Sequence, residues 1–146
     1  MIIYQKELEK NEVINKKKRI GTPLSKITAL EAEIGRTFPL SYKEFLLLTG
    51  DYDPMSQEHI MEFDSLPYLQ KTLQEQLELY HQTLQGDYWV VNGFQGEQFS
   101  LFYWNSGEDP AIYSCRPAYV QDGVPLIEKE TDTFTDFVNL GIAYFK

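Results

Sequence analysis

Apolar residues at helical spacing predict amphipathic helices over residues 24–34, 66–84 and 134–144. The longest stripe repeats every three or four residues and consists of Leu66, Leu69, Leu73, Leu77, Tyr80 and Leu84. Gly35 and Gly86 follow two of these segments and are typical helix ends. A looser pattern predicts a further helix within residues 4–18, with Tyr4, Leu8 and Ile14 as apolar anchors.

Capping residues mark the ends of three predicted helices. Thr22 followed by Pro23 predicts an N-cap and a first helical position, and Thr133 predicts the N-cap of the last helix. The stretch FPLSYKEFLLLTG (residues 38–50) predicts a helix opened by a capping box between Ser41 and Glu44. Its final glycine, Gly50, is expected in the left-handed conformation that ends many helices.

Residues 87–131 have a different pattern, typical of β-strands. DYWVVNGF, QFSLFYWN and AIYSCRP are rich in β-branched and aromatic residues and are separated by turn residues. HIMEF, before the long helix, is typical of a short strand. Both faces of QFSLFYWN are bulky, which predicts a central strand. Asp122-Gly123 between YVQ and VPLIEK predicts a two-residue hairpin.

Helices and strands that occupy separate parts of the chain indicate the α+β class. We expect N-terminal helices, an antiparallel meander of about four to six strands, and a C-terminal helix packed on the sheet. The 146 residues are expected to form one domain, with residues 1–21 as a peripheral helix or extension and residues 22–146 as the core. An N-terminus without a secretory signal pattern, the absence of a long apolar run and a single cysteine predict a cytoplasmic protein without a membrane span.

The acidic residues are concentrated in the body of the chain. Residues 1–22 hold six Lys or Arg and three Glu, whereas the other 124 residues hold seven Lys or Arg and nineteen Asp or Glu. Such a body repels nucleic acid and anionic membranes and attracts basic partners, although acidity also serves solubility. The short basic run 16–19 is typical of a solvated helix end.

Candidate catalytic and metal-binding residues are few. His59 and His81 are far apart and lack further ligands at metal spacing, which predicts no metal site. Cys115 lies in a predicted strand and is expected to be a buried, inert thiol. Phosphate-loop and nucleophile-elbow motifs are absent from the sequence. We therefore predict neither a cofactor nor catalytic residues.

Two other functions remain open from the residues alone. Close acidic pairs such as Glu108 and Asp109 are compatible with a hydrolase, but they are expected by chance among 22 acidic residues. The ten tyrosines and two tryptophans are compatible with a carbohydrate-binding platform, but their strand and helix positions favour core packing or a protein interface.

The run over residues 27–50 resembles the SUKH superfamily, whose most recognisable element has the pattern "I..LE..IG..LP..YK.FL...G". The matching residues are Ile27, Leu30, Glu31, Ile34, Gly35, Pro39, Tyr42, Lys43, Phe45, Leu46 and Gly50. Phe38 stands where leucine is usual in the family. The agreement in the order of elements extends over residues 22–146.

The resemblance implies a fold more directly than a function, because the motif residues serve packing and capping. It implies a non-enzymatic, protein-binding domain. The specific function it implies is that of an immunity protein, which neutralises a cognate bacterial toxin through an acidic surface. The expected partner is a basic, nuclease-type toxin domain, and the chain itself is expected to be a monomer or a weak homodimer. The alternative that the resemblance carries is a regulatory scaffold, like the relatives that regulate fungal cell-wall synthesis.

The candidate partner-binding residues combine acids with aromatic anchors. They are Asp51, Tyr52, Asp53, Glu58, Glu62, Asp64, Tyr88, Glu97, Trp104, Glu108 and Asp109.

Overall fold

The computed structural model describes residues 1–56 and 59–145 of the chain. The N-terminal half is helical, with α1 (Lys6–Lys10), α2 (Glu12–Lys16), α3 (Leu24–Ile34), α4 (Leu40–Thr49) and, after a two-residue strand, α5 (Leu66–Leu79). The strands are β1 (His59–Ile60), β2 (Tyr88–Phe94), β3 (Gln98–Tyr103), β4 (Ile112–Cys115) and β5 (Ile127–Thr131). The last element is α6 (Phe134–Tyr144).

The five strands form one antiparallel sheet in the order β1-β2-β3-β4-β5. This meander confirms the predicted α+β class and places β3 at the centre of the sheet, as its two bulky faces predicted. Consecutive hairpins turn at opposite ends of a meander, so the β2–β3 turn and the β3–β4 loop lie at opposite ends of the sheet.

Helices cover both faces of the sheet. On one face, α5 lies so close to β2 that a Cβ on Gly93 would stand 2.6 Å from a Leu69 methyl group. The sequence pattern predicts turn residues between DYWVVNGF and QFSLFYWN, with Gly93 among them, but Gly93 lies inside a strand and permits a close helix–sheet approach. On the other face, α4 and α6 meet the sheet through the rings of Tyr42, Phe102 and Phe134. This second face carries the candidate site.

The helix ends differ from their predictions at α3 and α4. α3 begins at Leu24, and the Thr22 hydroxyl bonds Asp51 Oδ1 (2.8 Å) instead of capping the helix. α4 begins at Leu40 without a side-chain cap, so the predicted capping box between Ser41 and Glu44 is wrong. The Glu44 carboxylate instead reaches the start of α1, as described below.

Gly50 does not adopt the predicted left-handed conformation, because its φ is −60°. Its N–H continues the helical pattern to Leu46 O at 2.8 Å. A Cβ at this position would collide with the Thr22 hydroxyl, so close packing between segments requires the glycine. Gly35 ends α3 as predicted, and it does so in the left-handed conformation with φ 69°.

Two other local predictions were wrong in part. The N-terminal helix is divided in two at Asn11, whose side chain caps α2 by accepting from Ile14 N (3.0 Å). α5 ends at Leu79, since His81 takes a left-handed φ of 54° and the Gln82 N–H closes onto Leu77 O.

The predicted hairpin at Asp122-Gly123 is also wrong. Residues of YVQ belong to a 3-10 helix, Pro117–Asp122, and the chain pairs again only at β5. Proline at the first position pre-sets a helical φ, and the hydrogen bond from Gly123 N to Val120 O (3.0 Å) belongs to that helical turn. The predicted cap of α6 is confirmed, because Thr133 Oγ1 accepts from Asp136 N at 2.9 Å.

Candidate functional site

A half-open cavity of about 450 Å³ lies where α6 crosses the sheet near β1 and the segment that follows α4. Its volume is within the usual range of ligand pockets. Its wall is mainly apolar, with polar groups at separate points, and the described lining residues are Phe45, Asp53, Met55, Ser56, His59, Met61, Glu130, Phe137, Val138, Leu140, Gly141, Tyr144 and Phe145. We call this the α6 cavity.

The segment after α4 is held in place by backbone pairing. Ile20 and Tyr52 form an antiparallel bridge, and Phe63 N donates to Gly50 O at 2.7 Å. A turn then follows, in which Ser56 N donates to Asp53 O (3.1 Å) with Pro54 at the second position. This turn places Asp53 in the wall of the cavity.

Asp53 is a buried carboxylate, with 3% of its surface exposed. Among the described residues it accepts one hydrogen bond, at Oδ1 from Met55 N (2.9 Å). Burial raises the pKa of this carboxyl to about 6, an effect that the Met55 N–H opposes and the negative charge of Glu62 increases. A carboxylate so placed is stabilised by any cation that enters the cavity.

A ladder of polar side chains crosses all five strands beside the cavity. His59 Nδ1 lies 3.1 Å from Asn92 Oδ1, and Asn92 Nδ2 donates to Ser100 Oγ at 3.3 Å. The hydroxyls of Ser100 and Ser114 both donate to Glu130 Oε1, at 3.1 and 2.9 Å. Because an amide oxygen only accepts, the His59 contact places a proton on Nδ1. The ladder thus ends at the Glu130 carboxylate.

This ladder does not form a nucleophilic triad. The imidazole of His59 contacts an amide, and within the described residues no hydrogen bond joins it to Ser100 or Ser114. Burial raises the pKa of the Cys115 thiol to about 12, which keeps that thiol protonated. In the described part of the chain, no three His, Cys, Asp or Glu side chains are grouped as a metal site would need.

The structure places the predicted partner-binding residues of positions 51–53 and 62–64 on two adjacent segments. The bond between Phe63 N and Gly50 O places the segment of Glu62 and Asp64 beside that of Asp51 and Asp53. Glu62 accepts from the Ser56 hydroxyl (3.2 Å), Asp51 and Asp64 are exposed, and Tyr52 is 45% exposed. Glu58 lies outside the described residues.

The other predicted residues lie elsewhere. Glu97, in the β2–β3 turn, accepts from the Tyr119 hydroxyl at 2.7 Å. At the opposite end of the sheet, Glu108 is exposed and Asp109 accepts from Thr135 N (2.9 Å) at the start of α6. Tyr88 faces α5, where Gln74 donates to its hydroxyl (2.6 Å).

Trp104 is half-buried in an aromatic cluster. Its ring stacks on Phe38 at 5.8 Å, and the Arg36 guanidinium lies 5.3 Å from its centre. A ring engaged in this way is part of the core boundary.

Several lining residues were not among the predicted site residues. Glu130, Met55 and Phe137 line the cavity, and Asn92 with Ser100 form the ladder behind it. One signal was present in the sequence: Asn92, Ser100 and Ser114 are small polar residues within otherwise apolar strands. Such positions indicate a polar strip on a buried face.

A helix-flanked antiparallel meander with a concave, mainly apolar cavity that holds two carboxylates is a domain of the α+β class with a candidate binding site. The family model of the SMI1 / KNR4 family (SUKH-1) matches residues 21–140. The match covers most of the chain, so the chain belongs to this family, as the residues of the 27–50 run predicted. SUKH family members are protein-interacting domains. No curated protein matches the chain.

None of the described helices is long and apolar enough to cross a membrane.

Proposed function

We propose that this chain is a cytoplasmic, non-enzymatic immunity protein that neutralises a cognate toxin domain by direct binding through an acidic surface. The observation that carries the proposal is the position of Asp53 in the wall of the α6 cavity, with Asp51, Glu62 and Asp64 on the two adjacent segments that the Phe63–Gly50 hydrogen bond joins. We call these four acids with Tyr52 the acidic rim. Membership in a family of protein-interacting domains supports the proposal that the chain acts by binding a protein.

The charge of the chain suits a basic partner. A nuclease-type toxin domain must present a basic surface to phosphates, and an acidic protein competes for that surface. Electrostatic complementarity raises the association rate, while buried anchors slow dissociation. Exposed apolar side chains at the cavity mouth, Leu140 and Tyr144, provide such anchors, since Tyr144 is 81% exposed.

The proposal predicts that a toxin domain is encoded beside the gene of this chain, and co-expression of the chain with that domain tests it. We expect the wild-type chain to restore growth and to bind the purified toxin domain in a salt-dependent manner. The double variant Asp51→Lys/Asp64→Lys is expected to weaken binding at least tenfold. Both positions are exposed, and the double change removes one hydrogen bond, that from Thr22 to Asp51, so the fold should tolerate it.

Glu75→Lys/Glu78→Lys is the matched control, because it changes the charge by the same amount at two exposed residues of α5, across the sheet from the acidic rim. An equal loss for this control would show that only net charge matters, and it would contradict the proposed surface. A chain that binds no toxin domain but retains a cellular protein would instead be a regulatory scaffold.

A further inference from the structure

The α6 cavity has walls of two kinds, and their combination limits what can occupy it. Most of the wall is apolar and adaptable, with Met55 and Met61 on one side and Phe137 and Tyr144 on α6. The charged groups among the described lining residues are carboxylates, Asp53 and Glu130, and the described lining contains neither lysine nor arginine.

The two carboxylates both have capacity for a ligand. Asp53 is 97% removed from solvent and accepts one hydrogen bond from the described residues, at Oδ1. Glu130 receives two hydroxyl donors, both at Oε1. A carboxylate has about four acceptor positions, so each has acceptor positions beyond those that the described residues fill.

A buried carboxylate with so few donors is costly to ionise. An uncharged apolar occupant would leave that cost in place or increase it, by removing water from Asp53. A cationic occupant with several donors would satisfy the open acceptor positions and neutralise the charge. Electrostatic complementarity therefore selects a basic group on an apolar stem.

We propose that the α6 cavity binds an arginine or lysine side chain of a protein partner, with Asp53 as its main anionic contact and Glu130 as a second. The long aliphatic stem of such a side chain would pack on Met55 and Met61, as basic side chains often do on apolar surfaces. The aromatic rings of Phe137 and Tyr144 offer faces for cation–π contact. Apolar residues flanking the basic residue would cover Leu140 and Tyr144 at the mouth.

This inference rests on the proposed function, because the basic side chain would belong to the toxin domain that the chain is proposed to bind. It can be tested without the partner. The probe is the peptide acetyl-Leu-Arg-Leu-amide, and its control is the same peptide with citrulline, which has the shape of arginine without its charge. Each is titrated into the full-length, ¹⁵N-labelled chain and followed by NMR.

We expect the arginine peptide to cause saturable shifts at the amides of Met55, Val138 and Gly141, and the citrulline peptide to bind at least tenfold more weakly. Asp53→Asn is expected to remove most of this difference. Asp122→Asn, at an exposed acid outside the acidic rim, is the matched control and should retain it. The one-dimensional spectrum reports whether each variant is folded.

Three outcomes would overturn the inference: no saturable shifts with the arginine peptide, equal binding of the citrulline peptide, or unchanged affinity in folded Asp53→Asn. None of them bears on toxin neutralisation, which the co-expression experiment measures separately. The two proposals can therefore fail independently.

Discussion

Glu44 and Asp53 are two buried carboxylates on neighbouring segments, and they receive very different numbers of hydrogen bonds. Glu44, 2% exposed on α4, accepts from the backbone N–H groups of Ile3, Tyr4 and Gln5 at 2.8, 2.7 and 3.0 Å. Asp53, at the cavity wall, accepts one hydrogen bond from the described residues.

The difference distinguishes a carboxylate that stabilises the fold, Glu44, from one that lies at a candidate binding site, Asp53. The three donors of Glu44 are at the start of α1, so the carboxylate attaches the N-terminal segment to α4 and also meets the positive end of a helix. Leu8 and Ile14 of that segment are fully buried. Within the described residues, the Asp53 side chain bonds only its own turn. A buried charge with few donors is unexplained by packing, and such groups concentrate at functional sites.

The largest expected effect is that of removing the Glu44 carboxylate. Glu44→Ala leaves three N–H groups without their acceptor and frees the N-terminal segment, so we expect a loss of about 3 to 4 kcal/mol in the free energy of unfolding. Urea denaturation measures it. Hydrogen exchange should show lost protection at the amides of Tyr4 and Gln5.

Glu44→Gln keeps one acceptor oxygen and is expected to lose about half as much. Glu33→Ala, on the exposed side of α3, is the control and should stay within about 0.5 kcal/mol of wild type. A small effect of Glu44→Ala would mean that the hydrogen bonds between Glu44 and the N-terminal segment contribute little to stability, and the contrast with Asp53 would disappear.

The second effect depends on pH. The pKa of Asp53 rises from its ordinary 3.8 to about 6 on folding, mainly through burial. Between these pH values the folded chain keeps a proton that the unfolded chain releases, so this group lowers stability as pH rises from about 4 to about 6. The full cost is about 3 kcal/mol at 1.4 kcal/mol per pH unit.

Asp53→Asn cannot ionise and should avoid this cost. Relative to wild type, we expect the variant to gain up to about 3 kcal/mol between pH 4 and pH 7, measured by urea denaturation across that range. The pH-dependent gain should exceed that of Asp51→Asn, the exposed neighbour. A difference that does not change with pH would show that Asp53 is solvated, and the site would lose its distinguishing feature.

The smallest expected effect concerns the hydrogen bond between Thr22, which precedes α3, and Asp51, which follows α4. Thr22 is buried, and its hydroxyl donates to the exposed Asp51 carboxylate. Thr22→Val keeps the shape and removes one hydrogen bond, for an expected loss of about 1 kcal/mol. Thermal denaturation measures the change, and the cavity amides in the NMR spectrum should remain unshifted. A shift of those amides would show that the Thr22–Asp51 hydrogen bond and the cavity are coupled.

Local patterns predicted most of the elements but not the use of each polar group. The Thr133 cap depends on residues three apart, and it was predicted correctly. Ser41, Glu44 and Thr22 satisfied the same local rules, yet Glu44 and Thr22 bond residues that are distant in the chain. A capping rule cannot detect a competing long-range donor or acceptor, because that partner is brought into reach by the packing of other segments.

The candidate site was predictable only in its acidic rim. The acids of residues 51–64 are close in sequence, so their grouping was within reach of the sequence. The cavity joins that segment to Glu130 and to α6, which lie more than sixty residues later. Likewise, the Gln70 amide pairs with both the N–H and the C=O of Val90, at 2.9 and 2.8 Å, and so completes the edge of β2. Only packing brings such partners together.

The sequence by itself determined the α+β class, the order of elements and the family, because periodicity, turn chemistry and a compact motif depend on neighbours along the chain. Tertiary structure alone decided which carboxylate is satisfied and which faces an open cavity. The physical reason is that burial and hydrogen-bond donors come from segments that meet only when the sheet has closed between α5 and the pair α4 and α6.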